Sequence, residues 1–166
     1  MRYSLVAINA MDQAAFIEAF GPTFEHTPAI AAQAWEQRPF QSLEDLHRAM
    51  VAVMRSLPEQ QQLALIRAHP ELGSRAKMAP ASVDEQSSAG LDQLTPQEFD
   101  ALQQLNRQYQ ARFGFPFIIA VKHHSKASIL AALRQRLGHS PKQEQAAALD
   151  QIAEIARLRL AEVTSP

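Results

Sequence analysis

Phe113-Gly114-Phe115-Pro116-Phe117-Ile118-Ile119-Ala120-Val121 decides how this chain folds. It is the one stretch with the composition of a buried strand, yet no second stretch is available to pair with it, and a lone strand is not stable by itself. Proline at 116 also argues against a helix through it. The expected solution is a buried extended segment near 115–121 inside a protein made otherwise of helices. The backbone N–H and C=O groups of such a segment need partners that no sheet supplies, and a polar ligand is one way to supply them.

The sequence on either side reads as helix. Thr95-Pro96 pairs a capping hydroxyl with a first-turn proline, and Glu98 completes a capping-box spacing. Phe99, Leu102, Asn106 and Tyr109 then mark one face, with Gly114 as the stop. Ser125 opens a helix to Leu137, closed by Gly138, and Ser140-Pro141 with Gln143 opens another to about Val163. Upstream, Thr27-Pro28 marks a start, and Ser42 precedes Leu43, Leu46, Met50, Val53, Met54 and Leu57 at helical spacing. Pro58 restarts the chain into Leu63 to Ala68. No repeat, linker or low-complexity stretch interrupts this pattern. The expected architecture is an all-α, single-domain helical bundle of about eight helices over residues 1–166.

Composition narrows the chemistry. Of 166 residues 46% are hydrophobic and 20% charged, enough for a self-sufficient core. The absence of cysteine removes disulfides, Cys-ligated zinc, iron–sulfur clusters and a thiolate nucleophile. Five glycines, about half of average usage, argue against phosphate-cradling loops and a turn-rich β fold. A formal charge of −1 carries no global signature of nucleic-acid or anionic-membrane binding. No apolar run approaches a membrane span, and residues 1–10 lack the basic start and long apolar stretch of a signal peptide. The expected setting is cytoplasmic and the expected partner a small-molecule substrate, with no nucleic acid and no membrane, in a monomer or homodimer.

A few residues stand out against the helical background. His69 ends a helix beside Pro70 and has the reference pKa for proton transfer near neutrality; capping the last helical carbonyls is its structural alternative. Ser82-Val83-Asp84-Glu85-Gln86 has capping-box form, with Ser82 as N-cap and Glu85 three residues on, and such a helix start would also suit an anionic or carbonyl-bearing ligand. Arg159 falls on the apolar stripe of the last helix with Leu149, Ile152, Ala156, Leu160 and Val163, so it needs a ligand or an acidic partner such as Glu85. His123-His124 reads as two solvated histidines before the Ser125 cap, and no metal site is expected. His26 flanks a helix start, either lining a cleft or merely beside the cap.

Three separated stretches together resemble one family. They are His69-Pro70-Glu71-Leu72, then Ser82-x-x-Glu85-Gln86 with Ala89-Gly90-Leu91, and Phe113 to Ile118 leading to Ser125-Lys126 and Ile155-Ala156-Arg157-Leu158-Arg159-Leu160. Their order, with Phe24-Glu25-His26 and Arg38-Pro39-Phe40, is similar to that of the 2-oxo-4-hydroxy-4-carboxy-5-ureidoimidazoline (OHCU) decarboxylases, over nearly the whole chain. Glu71 stands where that family commonly has aspartate, and Lys122-His123-His124 where it varies.

The resemblance implies an all-α, cofactor-independent carboxy-lyase that forms (S)-allantoin as the last step from urate. It makes His69 the catalytic histidine and Glu85 its acidic partner, with Ser82 and Arg159 as polar substrate contacts and Pro70 in the pocket wall. The other implied substrate-binding residues are Val83, Asp84 and Gln86, and the backbone of Phe117, Ile118, Ile119, Ala120 and Val121. Arg159 is expected on a carbonyl or ureido oxygen, because a tight bridge to the departing carboxylate would stabilise the ground state. Two other readings compete: a non-catalytic helical interaction module, and decarboxylation or tautomerisation of another small ureido compound on the same scaffold.

Overall fold

The computed structural model describes residues 1–74 and 79–166. Among them are nine α-helices: α1 (Leu5–Ala10), α2 (Gln13–Phe20), α3 (Ala29–Trp35), α4 (Leu43–Ser56), α5 (Glu59–Ala68), α6 (Pro80–Ser88), α7 (Pro96–Phe113), α8 (Lys126–Arg136) and α9 (Pro141–Val163). Short 3₁₀ turns cover Gly21–Thr23 and Val121–His123. Among the described residues the only β pairing is an isolated parallel bridge between Tyr3 and Thr164. The chain is therefore all-α, as expected, and no helix of the described residues is long and apolar enough to cross a membrane.

Most helix starts follow from local chemistry. Ser42 accepts from Asp45 N–H at 3.0 Å, and Thr95 and Glu98 form the reciprocal capping box ahead of Pro96. Ser140 and Gln143 exchange the same pair of bonds before α9. Gly114 closes α7 at φ 77°, the left-handed geometry that a C-terminal glycine accommodates without strain. No proline announces α1 or α2; both are short, and Ser4 and Asp12 cap them.

Two start signals read differently in the structure. Thr27 does not cap α3; its hydroxyl donates to the Glu25 carbonyl at 2.8 Å, and the helix begins at Ala29 behind Pro28. Nor does Ser82 cap a helix with Glu85 as its box partner. Pro80 takes the first helical position and Ala79 the N-cap, so α6 begins two residues before Ser82, and Ser82 and Glu85 lie inside it. Residues 75–78, between His69 and Ser82, lie outside the described residues.

The chain divides into two compact units, Met1–Leu65 with Ala153–Pro166, and Ile66–Ile152. In the first, Phe16 and Phe20 pack with centroids 4.9 Å apart, and Tyr3 and Phe40 lean on the same pair. Arg38 stacks 3.9 Å over the Trp35 ring and donates to the carbonyls of Asn9 and Met11 at the end of α1. In the second, Tyr109 sits among Phe113, Phe115 and Phe117, at centroid distances of 4.5, 6.0 and 5.4 Å.

The phenol of Tyr109 turns from these rings to a wholly buried carboxylate. Its hydroxyl donates to Glu144 Oε1 at 2.5 Å, where Arg136 Nε also donates at 2.8 Å, and His139 Nδ1 lies 2.8 Å from Oε2. Burial, reinforced by the bond to Glu144, pushes the Tyr109 phenol far above its ordinary value of 10.0. Folded Tyr109 therefore keeps its proton above pH 10 while the unfolded chain releases it, so this contribution to stability is full below pH 10 and falls as pH rises. In denaturant titrations from about pH 9 to about pH 11, the stability advantage over Tyr109→Phe should shrink with rising pH; an advantage constant across that range would contradict a buried, protonated phenol.

Candidate functional site

The residues singled out at 69–70, 82–86 and 117–121 all fall in the second unit. α5 ends at Ala68, and the His69 N–H still bonds back to the Ile66 carbonyl at 3.2 Å before Pro70 turns the chain away. His69 itself is buried, with 8% of its surface exposed, and Pro70 is half-buried. The loop that follows is fastened from two helices. Gly73 N–H donates to Gln86 Oε1 of α6 at 2.9 Å, and Asn106 Nδ2 of α7 donates to the Leu72 carbonyl at 3.0 Å. Glycine is required at 73, where φ is 70° and a Cβ would lie 2.7 Å from Leu102 Cδ2.

Starting α6 at Pro80 decides which of its side chains turn inward. Ser82, Glu85, Gln86 and Ala89 have helical spacings of three, four and seven, and all four are buried. Val83 and Asp84 occupy the exposed side of the same helix, Val83 with 44% of its surface open. α6 packs on the 3₁₀ turn Val121–His123, at the end of the apolar segment. Gln86 also ties this face to the His69 loop through Gly73.

Phe115, Phe117, Ile118, Ile119, Ala120 and Val121 are all buried. Residues 116–120 form neither helix nor paired strand, and Val121 opens the 3₁₀ turn, so the irregular backbone ends one residue before the expected limit. Two of its backbone groups are held by side chains: the Ile118 carbonyl accepts from Arg136 Nη1 at 2.6 Å, and Ala120 N–H donates to Gln151 Oε1 at 2.9 Å. Sequence reasoning missed both partners, although Arg136 continues the buried stripe of Ile129 and Leu133 on α8 just as Arg159 continues that of α9. Of the paired histidines, His123 is exposed and His124 is half-buried with Nδ1 3.0 Å from Ser128 Oγ. Among the described residues, no three His, Asp or Glu side chains gather as a metal-binding group.

Arg159 belongs to the first unit and is buried there. An acid that meets it there is Glu25: Nη2 donates to Glu25 Oε2 at 3.0 Å, and Nη1 to the Pro22 carbonyl at 3.3 Å. His26, next to Glu25, adopts φ 48° and turns its ring into solvent.

The family model for OHCU decarboxylase matches residues 9–161, a span that runs through both units. The chain belongs to the OHCU decarboxylase family. An OHCU decarboxylase of Halalkalicoccus jeotgali is 41% identical to it over 165 residues, covering 99% of this chain and 94% of the relative. The uric acid degradation bifunctional protein PucL of Bacillus subtilis is 42% identical over 161 residues, 97% of this chain but 33% of that larger protein. Among solved structures, an (S)-allantoin synthase superposes with a TM-score of 0.80 at 28% identity; the match covers 97% of this chain and 54% of that one.

Breaking the Arg159–Glu25 pair tests its structural part directly. Glu25→Gln removes the carboxylate from a buried guanidinium, and a loss of about 3–5 kcal/mol is expected in denaturant unfolding. A loss below about 1 kcal/mol, the range of exposed pairs, would mean that the pair is solvated.

Proposed function

We propose that this chain catalyses the decarboxylation of 2-oxo-4-hydroxy-4-carboxy-5-ureidoimidazoline to (S)-allantoin, the closing step from urate to allantoin. The observation that carries the reading is the family match across residues 9–161. The buried face of Ser82, Glu85 and Gln86, fastened to the loop after His69, supports it.

The chemistry suits these residue types. The carboxylate of this substrate sits on a carbon that bears a hydroxyl and adjoins a C=N bond. As the C–C bond to the carboxylate breaks and CO₂ leaves, its electron pair forms a C=C bond and the π pair of C=N moves onto nitrogen, which takes up a proton. The resulting enol then gains a proton at the former C=N carbon and loses its hydroxyl proton, giving the carbonyl of allantoin. The substrate thus carries its own electron sink, and the protein supplies orientation, proton transfer and fixed dipoles.

His69 delivers the proton to one face of that carbon, and Glu85 takes the hydroxyl proton. Ser82 and Gln86, on the same buried face as Glu85, hold the polar edge of the heterocycle. The backbone of the buried segment binds the remaining polar groups. No step of this chemistry is assigned to Arg159.

Freshly generated substrate, followed by circular dichroism of the allantoin formed, tests the reading against the racemic spontaneous background. The wild type is expected to yield one enantiomer above that background. His69→Asn should lose about 10²- to 10⁴-fold in rate with an unchanged far-ultraviolet spectrum, and near-normal turnover would refute its role. Glu85→Gln should slow turnover comparably; an unchanged rate would return Glu85 to a packing role.

A further inference from the structure

We infer that Gln151 and Arg136 are positioning residues, which hold the Ala120 N–H and the Ile118 carbonyl and thereby aim the backbone N–H and carbonyl of Ile119 at the substrate. The inference rests on the decarboxylase reading and specifies how the buried segment serves it.

The two held groups stand in a particular relation. In a planar trans peptide the carbonyl of one residue and the N–H of the next point in opposite directions. The Ile118 C=O is taken by Arg136 of α8 and the Ala120 N–H by Gln151 of α9. Ile119, between them, therefore turns its N–H away from the Arg136 bond and its carbonyl away from the Gln151 bond. Among the described residues, neither its N–H nor its carbonyl has a hydrogen-bond partner, although only 6% of its surface is exposed. Buried backbone groups are nearly always paired, so an open pair flanked by two anchors marks a place for a polar ligand.

The anchors look chosen for this bond rather than for stability. Arg136 Nη2 is buried with no hydrogen-bond partner among the described residues, so apolar residues in place of the whole Arg136–Glu144 pair would fill the same space at lower cost. What an apolar residue cannot do is donate to Ile118. Arg136 is itself fixed, through Nε on Glu144 and its guanidinium 4.5 Å over the Phe117 ring. Gln151 needs only its oxygen, because it accepts from Ala120 N–H.

That last point gives the test, since Gln151 is half-buried and can be changed without disturbing the buried carboxylate. Gln151→Leu removes the acceptor, and Gln151→Met does so with a shape closer to the original. Gln151→Glu keeps an oxygen that accepts from an N–H. With purified protein and fresh OHCU, both apolar variants should lose about 10- to 100-fold in kcat/KM, with thermal midpoints close to that of the wild type. Gln151→Glu should restore most of the rate. Full activity in the apolar variants, or a Glu variant as slow as they are, overturns the positioning role while the decarboxylase reading stands. A wild type with no turnover above the spontaneous rate removes that reading, and the inference with it.

Discussion

A carboxylate wholly withdrawn from water sets the geometry of the second unit. Glu144 lies in the first turn of α9, and a charge buried there must be met by donors from its surroundings. Those donors come from separate places: Tyr109 on α7, Arg136 on α8 and His139 between α8 and α9. Each must approach within hydrogen-bond distance, so three parts of the chain are fixed about one point. Apolar residues would join the helices at least as firmly. They would offer nothing to the backbone of residues 116–120, which forms neither helix nor paired strand and which the same arginine reaches through Ile118. The polar core of this unit is thus explained by the irregular segment that it supports.

Much of the fold was legible because the start signals are local. Thr95-Pro96 with Glu98 and Ser140-Pro141 with Gln143 depend only on residues within one turn, and both form as read. Ser82 with Glu85 has the same spacing and fails, because Pro80 two residues earlier competes for the first helical position and wins. A capping box is two side-chain bonds, whereas proline fixes φ and removes an N–H that would otherwise need a partner. Moving the start by two residues turns Ser82 and Glu85 from caps into members of a buried face.

The site was legible in part. Arg159 betrayed itself as a charge in the middle of an apolar stripe, and an acid that meets it is Glu25, 134 positions away in sequence. Arg136 and Glu144 lie on stripes of the same kind but near helix ends, an arginine in a last turn and a glutamate in a first turn. Charges of those signs at those ends are what the helix dipole favours on any exposed helix, so their burial leaves no distinctive mark in the sequence. The bonds that fasten the His69 loop, from Gln86 to Gly73 and from Asn106 to Leu72, span 13 and 34 residues and follow only from tertiary packing.

In the proposed chemistry, backbone groups serve better than long polar side chains. Negative charge moves from a carboxylate into a heterocycle during the reaction, and a donor contributes most when it already points to where the charge arrives. A lysine or arginine reaching into a site must give up rotamer freedom to do so. An N–H whose neighbours on both sides are held by hydrogen bonds has no such freedom left to lose. Ile119 has that position, between Ile118 bound to Arg136 and Ala120 bound to Gln151. Placing an irregular segment inside a helical unit is therefore a way to present fixed dipoles, because a helix interior or a sheet would have used those same groups in its own hydrogen bonds.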